Sequence, residues 1–128
     1  FMVNRLGHRF VAEDIGPSEL ASHVLAQPGG VALEVFDERI HRFAMAQGPY
    51  REAFEAGKIA SAGSARELAN RFDIPEREFV ASFQKHQQAV AAAHDPEFGR
   101  TRFGPALQSP FFGAWVTSIL LVLITRNR

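Results

Sequence analysis

A chain of 128 residues with fourteen basic and fourteen acidic side chains has a formal net charge of +0, so it fits one domain with a modest core and offers no bulk field for nucleic acid or an anionic membrane. With no cysteine, disulfides and thiolate metal sites are excluded and the chain leans toward a cytoplasmic location. Twelve phenylalanines against one tyrosine and one tryptophan predict a dry core rather than a sticky aromatic surface.

Residues 3–11 read as two short strands around a turn, with Gly7 supplying the left-handed conformation that a tight turn demands. Pro17 opens a helix whose inner face is Leu20, Ala21, Val24 and Leu25, and Gln27-Pro28-Gly29-Gly30 closes it. Residues 31–36 form a β-type run with Ala32 and Glu34 facing outward. Asp37 then caps a helix through residue 46 that turns Ile40, Phe43 and Ala44 inward, and Gly48-Pro49 breaks it. Residues 50–56 make another helical turn or two, stopped by Gly57, and residues 58–62 are an extended link.

Ser64 with Glu67 makes a capping box, in which each side chain satisfies a backbone N–H left free by the first helical turn. Ala65, Leu68, Ala69 and Phe72 follow at i, i+3, i+4 and i+7, giving one apolar stripe. Asp73 and Pro75 end that helix and begin the next, whose inner side is Phe79, Val80, Phe83, His86 or Gln87, and Val90. Its solvated face is Glu76, Arg77, Glu78, Lys85 and Gln88, and Asp95-Pro96 ends it. Gly104-Pro105 and Ser109-Pro110 keep the following chain extended and irregular, and residues 111–117 return as a strand. Two to four short strands segregated from four or five helices predict an α+β fold with a short mixed or antiparallel sheet. The apolar run at residues 114–124 is eleven residues long, too short for the roughly 20 that span a bilayer.

Chemical motifs are conspicuous by absence. There is no G-x-G-x-x-G, no glycine-rich phosphate cradle and no acidic residue spaced for a ribose hydroxyl. Gly29-Gly30 follows a helix rather than a strand, which makes it a helix-ending turn. The five histidines share no zinc-type spacing, so no metal site is expected, and no serine lies in a G-x-S-x-G context.

In order along the chain, "VNRLGHRFVAED", "LEVFDERI", a capped short helix, an "IPE" break, "QAVAAAHDPEFGR" and "TRFGPAL…PFF" resemble the capping domain of flavoproteins of the fumarate reductase/succinate dehydrogenase family. The likeness runs over residues 2–117. It implies a substrate-side domain at residues 1–117 that closes over a small molecule held between it and a separate FAD-binding domain. FAD is then the cofactor of the parent enzyme, an oxidoreductase, with none expected on this chain alone. At Thr117 the family continues toward a glycine-rich "HT-x-GG" segment, whereas residues 118–128 here form an atypical apolar and basic tail, which suggests a fragment.

In fumarate-reducing members of that family an arginine on the helix after the "FD" strand donates a proton, fed by a glutamate and a second arginine after the "RFV" hairpin. Glu13 matches the glutamate, His41 falls at the donor arginine's place with Arg39 and Arg42 as neighbours, and the second arginine has no counterpart around Gly16-Pro17. The resemblance therefore implies proton handling by Glu13 and His41 and substrate binding by Arg39 and Arg42, with the substrate left open. Each residue has a plain structural reading beside it: His41 on an amphipathic helix, the two arginines on a solvated face beside Asp37 and Glu38, and Glu13 in a turn with Asp14. A rival reading of the whole is a stand-alone interaction or self-association module, suggested by the apolar stretch that includes Phe111, Phe112 and Trp115.

Overall fold

The six-residue strand β2 (Ala32–Asp37) sets the frame of the computed structural model, which describes residues 1–117. In chain order the elements are β1 (Met2–Val3), α1 (Pro17–Leu25), a short 3-10 turn (Pro28–Gly30), β2 (Ala32–Asp37), α2 (Glu38–Ala44), α3 (Gly48–Glu55), β3 (Ile59–Ala62), α4 (Ala65–Arg71), α5 (Glu76–Ala92) and β4 (Phe111–Val116). The four strands form one sheet in the order β1-β2-β4-β3, antiparallel at every pairing. The fold is α+β, with five helices and a short antiparallel sheet, as the pattern predicts.

Alternation along the strands divides the core. On one face Val3, Leu33, Val35, Ala62 and Phe111 pack against Leu68, Ala69, Phe79 and Phe83 of α4 and α5. On the other, Met2, Ala32 and Val116 meet Leu20 and Val24 of α1, while Phe36, Ile59, Phe112 and Ala114 meet Tyr50 and Ala53 of α3. Helices thus cover both faces. For that reason Ala32, expected outward, is fully buried: a strand buried on both sides has no polar face to reveal. Glu34, also expected outward, pairs with Met2 and Ala114 and so sits half-buried at the seam between the two clusters of that second face.

The expected hairpin at residues 3–11 does not form. Met2–Val3 pairs instead with β2, and the Asn4 side chain captures the turn, its Oδ1 accepting from the backbone N–H groups of Leu6 and His8 at 2.9 and 3.1 Å. Gly7 does take the left-handed conformation, at φ 87°. A Cβ there would lie 2.9 Å from the backbone nitrogen of Phe79, so the position needs glycine both for its dihedral and for the close approach of α5.

Helix α1 buries Leu20 and Val24 but leaves Leu25 exposed. Asp37 caps α2, accepting from the N–H of Arg39 at 3.2 Å. Of the residues expected inward on α2, Ala44 does pack against the Phe36 cluster, but Ile40 is 55% and Phe43 77% exposed, and His41, which stacks on Phe112, takes their place. The helix leaves β2 with no intervening loop, so the strand's direction rather than hydrophobicity decides which side meets the core. The stretch expected as a link is β3, paired along its length with β4.

Ser64 Oγ accepts from the N–H of Glu67 at 3.1 Å, and the Glu67 carboxylate reaches back to the N–H of Gly63 at 2.9 Å, one residue before the usual target of a capping box. In α5 it is His86, not Gln87, that is buried. Gln87 instead clamps the backbone of Leu107, donating at 2.8 Å and accepting at 3.1 Å. Ala93, left-handed at φ 52°, ends the helix. Phe111 and Phe112 are buried, and Trp115 is half-buried, edge-on to Phe72. The apolar stretch behind the self-association reading is therefore covered as far as it is described, and its remainder from residue 118 lies outside the described residues. Among the described residues no helix is long and apolar enough to cross a membrane.

Candidate functional site

Where β2 runs into α2, a cleft of about 400 Å³ opens against α5 and the loop that follows it. Its apolar walls include Phe1, Phe36, Ile40, Val90 and Leu107, and its polar lining is Glu34, Asp37, Arg39, His86 and Arg100. A largely apolar recess with a few convergent charges is the usual form of a small-molecule site.

Asp37 organises the lip. Its side chain is 2% exposed; besides capping α2 it accepts from Arg39 Nη2 at 2.7 Å and from the backbone N–H of Gln108 at 3.0 Å. Burial alone would raise its pKa, but the hydrogen bond from Arg39 and those from the backbone outweigh it and hold the carboxyl below its ordinary value. Arg39 also donates to the carbonyl of Ala106 at 2.9 Å, which fixes a cation at the mouth. Arg42 is elsewhere, 75% exposed and 3.7 Å from Glu38, and does not line the cleft.

Glu13 belongs to a buried ionic cluster that sequence reasoning did not find. The Arg9 guanidinium, 4% exposed, bonds Glu13 through Nε and Nη2 at 2.9 and 2.6 Å and Asp95 through Nη1 and Nη2 at 3.2 and 3.0 Å. Arg100 lies 3.5 Å from Glu13, and Glu13 also accepts from the N–H of Met2 at 3.0 Å. Burial opposes ionisation of both acids, yet the bonds from Arg9 prevail and lower both, Asp95 to about 2. Asp95 in turn accepts from the N–H groups of Glu97, Phe98 and Arg100, shaping the loop that brings Arg100 to the cleft. Read in sequence, Asp95-Pro96 signals only a helix end; its partner Arg9 lies 86 residues away, and no local pattern links them.

His41 packs against the Phe36 cluster. Its ring stacks on Phe112 with centroids 4.2 Å apart and an interplanar angle of 12°, and Nδ1 lies 2.8 Å from the hydroxyl of Tyr50. No hydrogen bond or ion pair joins it to Glu13 among the described residues. Glu34 has its pKa raised above the ordinary value chiefly by burial, the negative charge of Glu13 adding to it. His86, in the cleft wall, is pushed down by burial and its Nδ1 has no partner among the described residues.

The fit to a dinucleotide can be tested on the helix N-termini. The turn from β2 into α2 is the one place where a strand feeds a helix directly, and a carboxylate already caps it. The turn before α4 is closed by Glu67 on the Gly63 N–H. An acidic group in the anion-binding position leaves neither of these two N-termini free for a pyrophosphate. Among the described residues no group of three or more potential metal ligands is gathered.

No family model matches the chain. It is 33% identical over 109 residues to an NADH:fumarate oxidoreductase of Klebsiella pneumoniae (strain 342), a match covering 85% of this chain and 11% of that protein. To an NADH:acrylate oxidoreductase of Vibrio harveyi it is 28% identical over 113 residues, covering 86% of this chain and 11% of the relative. The chain thus spans about a tenth of the length of these curated relatives. Among solved structures, the open conformation of a flavocytochrome c3 fumarate reductase superposes with a TM-score of 0.78 at 24% identity, over 91% of this chain and 20% of that one, which shows the fold.

Proposed function

We propose, given that this chain belongs to the fumarate reductase/succinate dehydrogenase flavoprotein family, that it is the substrate-capping domain of an FAD-dependent oxidoreductase and is inactive without the domain that holds the flavin. The observation that carries this is the ratio of coverage: nearly all of the chain matches about a tenth of its relatives, as one module of a larger enzyme would. The carboxylates that occupy the N-termini of α2 and α4, the two helices that follow strands most closely, support it. The relatives named for fumarate and acrylate suggest a small conjugated carboxylic acid as substrate.

In this reading the chain's own residues bind, orient and exclude water. Arg39, held by Asp37, and Arg100 at the cleft attract the carboxylate of a small acid, and a lid that closes over it strengthens both charges by displacing solvent. His41 stands at the proton-donor position of the resemblance. Glu13, ionised and locked by Arg9, contributes negative potential and supports that corner of the fold. Titrating the purified chain with FAD tests the proposal: the flavin absorbance is expected to remain that of free cofactor, and tight stoichiometric binding with a perturbed spectrum overturns it.

A second reading, a self-associating or partner-binding module, now rests on a different feature from the one seen in sequence. Ile40 and Phe43 form an exposed apolar pair on α2. Sedimentation at several concentrations separates the two, since a strict monomer removes the self-association alternative.

A further inference from the structure

We propose that Tyr50 is a positioning residue for His41: its hydroxyl donates to Nδ1, keeps the proton of the neutral imidazole on Nε2, and so makes that ring a hydrogen-bond donor toward an anionic oxygen. The functional meaning rests on the capping reading, but the geometry stands apart from it. Tyr50 is 6% exposed, on the inner side of α3, where the third residue after it, Ala53, is buried as well. Its ring packs edge-on to Phe36 at 6.3 Å, and its oxygen is 2.8 Å from Nδ1.

The imidazole is held in orientation as well as in contact. Phe112 lies parallel beneath it at 4.2 Å and Phe54 tilts against it at 4.7 Å, so the ring cannot flip, which would put Cδ2 in the place of Nδ1, without leaving both. A buried phenol proton requires an acceptor, and among the described residues Nδ1 is the partner the hydroxyl has. Tyr50 keeps that proton, because burial, and then the negative charges of Glu34 and Glu38, raise its pKa above the ordinary phenol value. A neutral imidazole carries one proton; with Nδ1 occupied as acceptor, that proton resides on Nε2. The neutral ring then offers an N–H outward and has no free lone pair with which to abstract a proton. This assigns His41, when neutral, to holding a carboxylate or enolate oxygen, and distinguishes it from a general base.

The tautomer is read directly in the isolated chain by long-range proton–nitrogen correlation at about pH 9, well above the ordinary imidazole pKa of about 6.5, with His41→Gln identifying the signals. The expected result is a widely separated pair of ring nitrogens for His41, Nδ1 unprotonated and Nε2 protonated, and a reduced separation in Tyr50→Phe as the tautomers mix. Tyr50→Phe keeps the packed ring, and the wild-type spectrum is decisive without it: a proton on Nδ1 overturns the inference. So does a Tyr50→Phe spectrum with unchanged His41 nitrogens. Either result leaves the capping proposal untouched, because that proposal fails on flavin binding and not on a ring tautomer.

Discussion

Arg9 is satisfied by two carboxylates that are themselves almost completely buried, with side chains 9% and 1% exposed. Such a cluster is stable as a whole and fragile in part, since removing one member leaves an uncompensated charge in the interior. Asp95→Ala is expected to cost about 3–5 kcal/mol at neutral pH, read from urea unfolding. Asp95 has its pKa lowered from 3.8 to about 2 in the folded protein, so its stabilisation is fully present above the unfolded value and is lost as pH falls through the folded one. The gap between wild type and Asp95→Ala should therefore narrow between about pH 4 and pH 2 and not above. A gap that stays constant down to pH 2 contradicts the ion-pair account. Nothing in the residues around Asp95 announces this role, because a long-range ion pair leaves no periodicity. The same holds for Tyr50, legible in sequence only as one residue of a short helical turn.

Helices were the readable elements. The stripe on α4, the Ser64 cap and the Phe79–Phe83 spacing of α5 are local signals, and each matches the structure because local hydrogen bonding and i, i+4 contacts decide it. Ile59–Ala62 was not readable as a strand, since its alanines and serine acquire strand character only by pairing with β4, about fifty residues on. For α2 the periodicity places Ala44 correctly but not Ile40 and Phe43, because both sides of that short helix carry apolar residues. Two substitutions separate the faces. Phe43→Ser should change unfolding free energy by no more than about 0.5 kcal/mol, as for an exposed site, whereas Phe83→Ala should cost about 3–5 kcal/mol through the cavity it leaves. Parallel denaturant titrations decide it: a large loss for Phe43→Ser means that α2 packs as the periodicity suggested.

The sheet closes only when the last described strand arrives. β4 lies between β2 and β3 and, among the described residues, is the sole strand partner of β3, so the antiparallel ladder and both buried faces depend on residues late in the chain. Deleting residues 111–117 should abolish cooperative thermal unfolding and collapse amide dispersion in the proton–nitrogen spectrum, while a truncated chain that still melts cooperatively refutes this dependence. Such non-local assembly is slow relative to helix formation, because loop closure precedes any reward from the contact.

Asp37 joins three pieces at the lip of the recess: the end of β2, the start of α2 and, through Gln108 and the Arg39–Ala106 bond, the segment at residues 106–108. These parts are fastened at a single carboxylate. Displacing that segment would therefore strain the start of α2 as well as the end of β2, so the lip of the recess is mechanically coupled to the helix that carries His41.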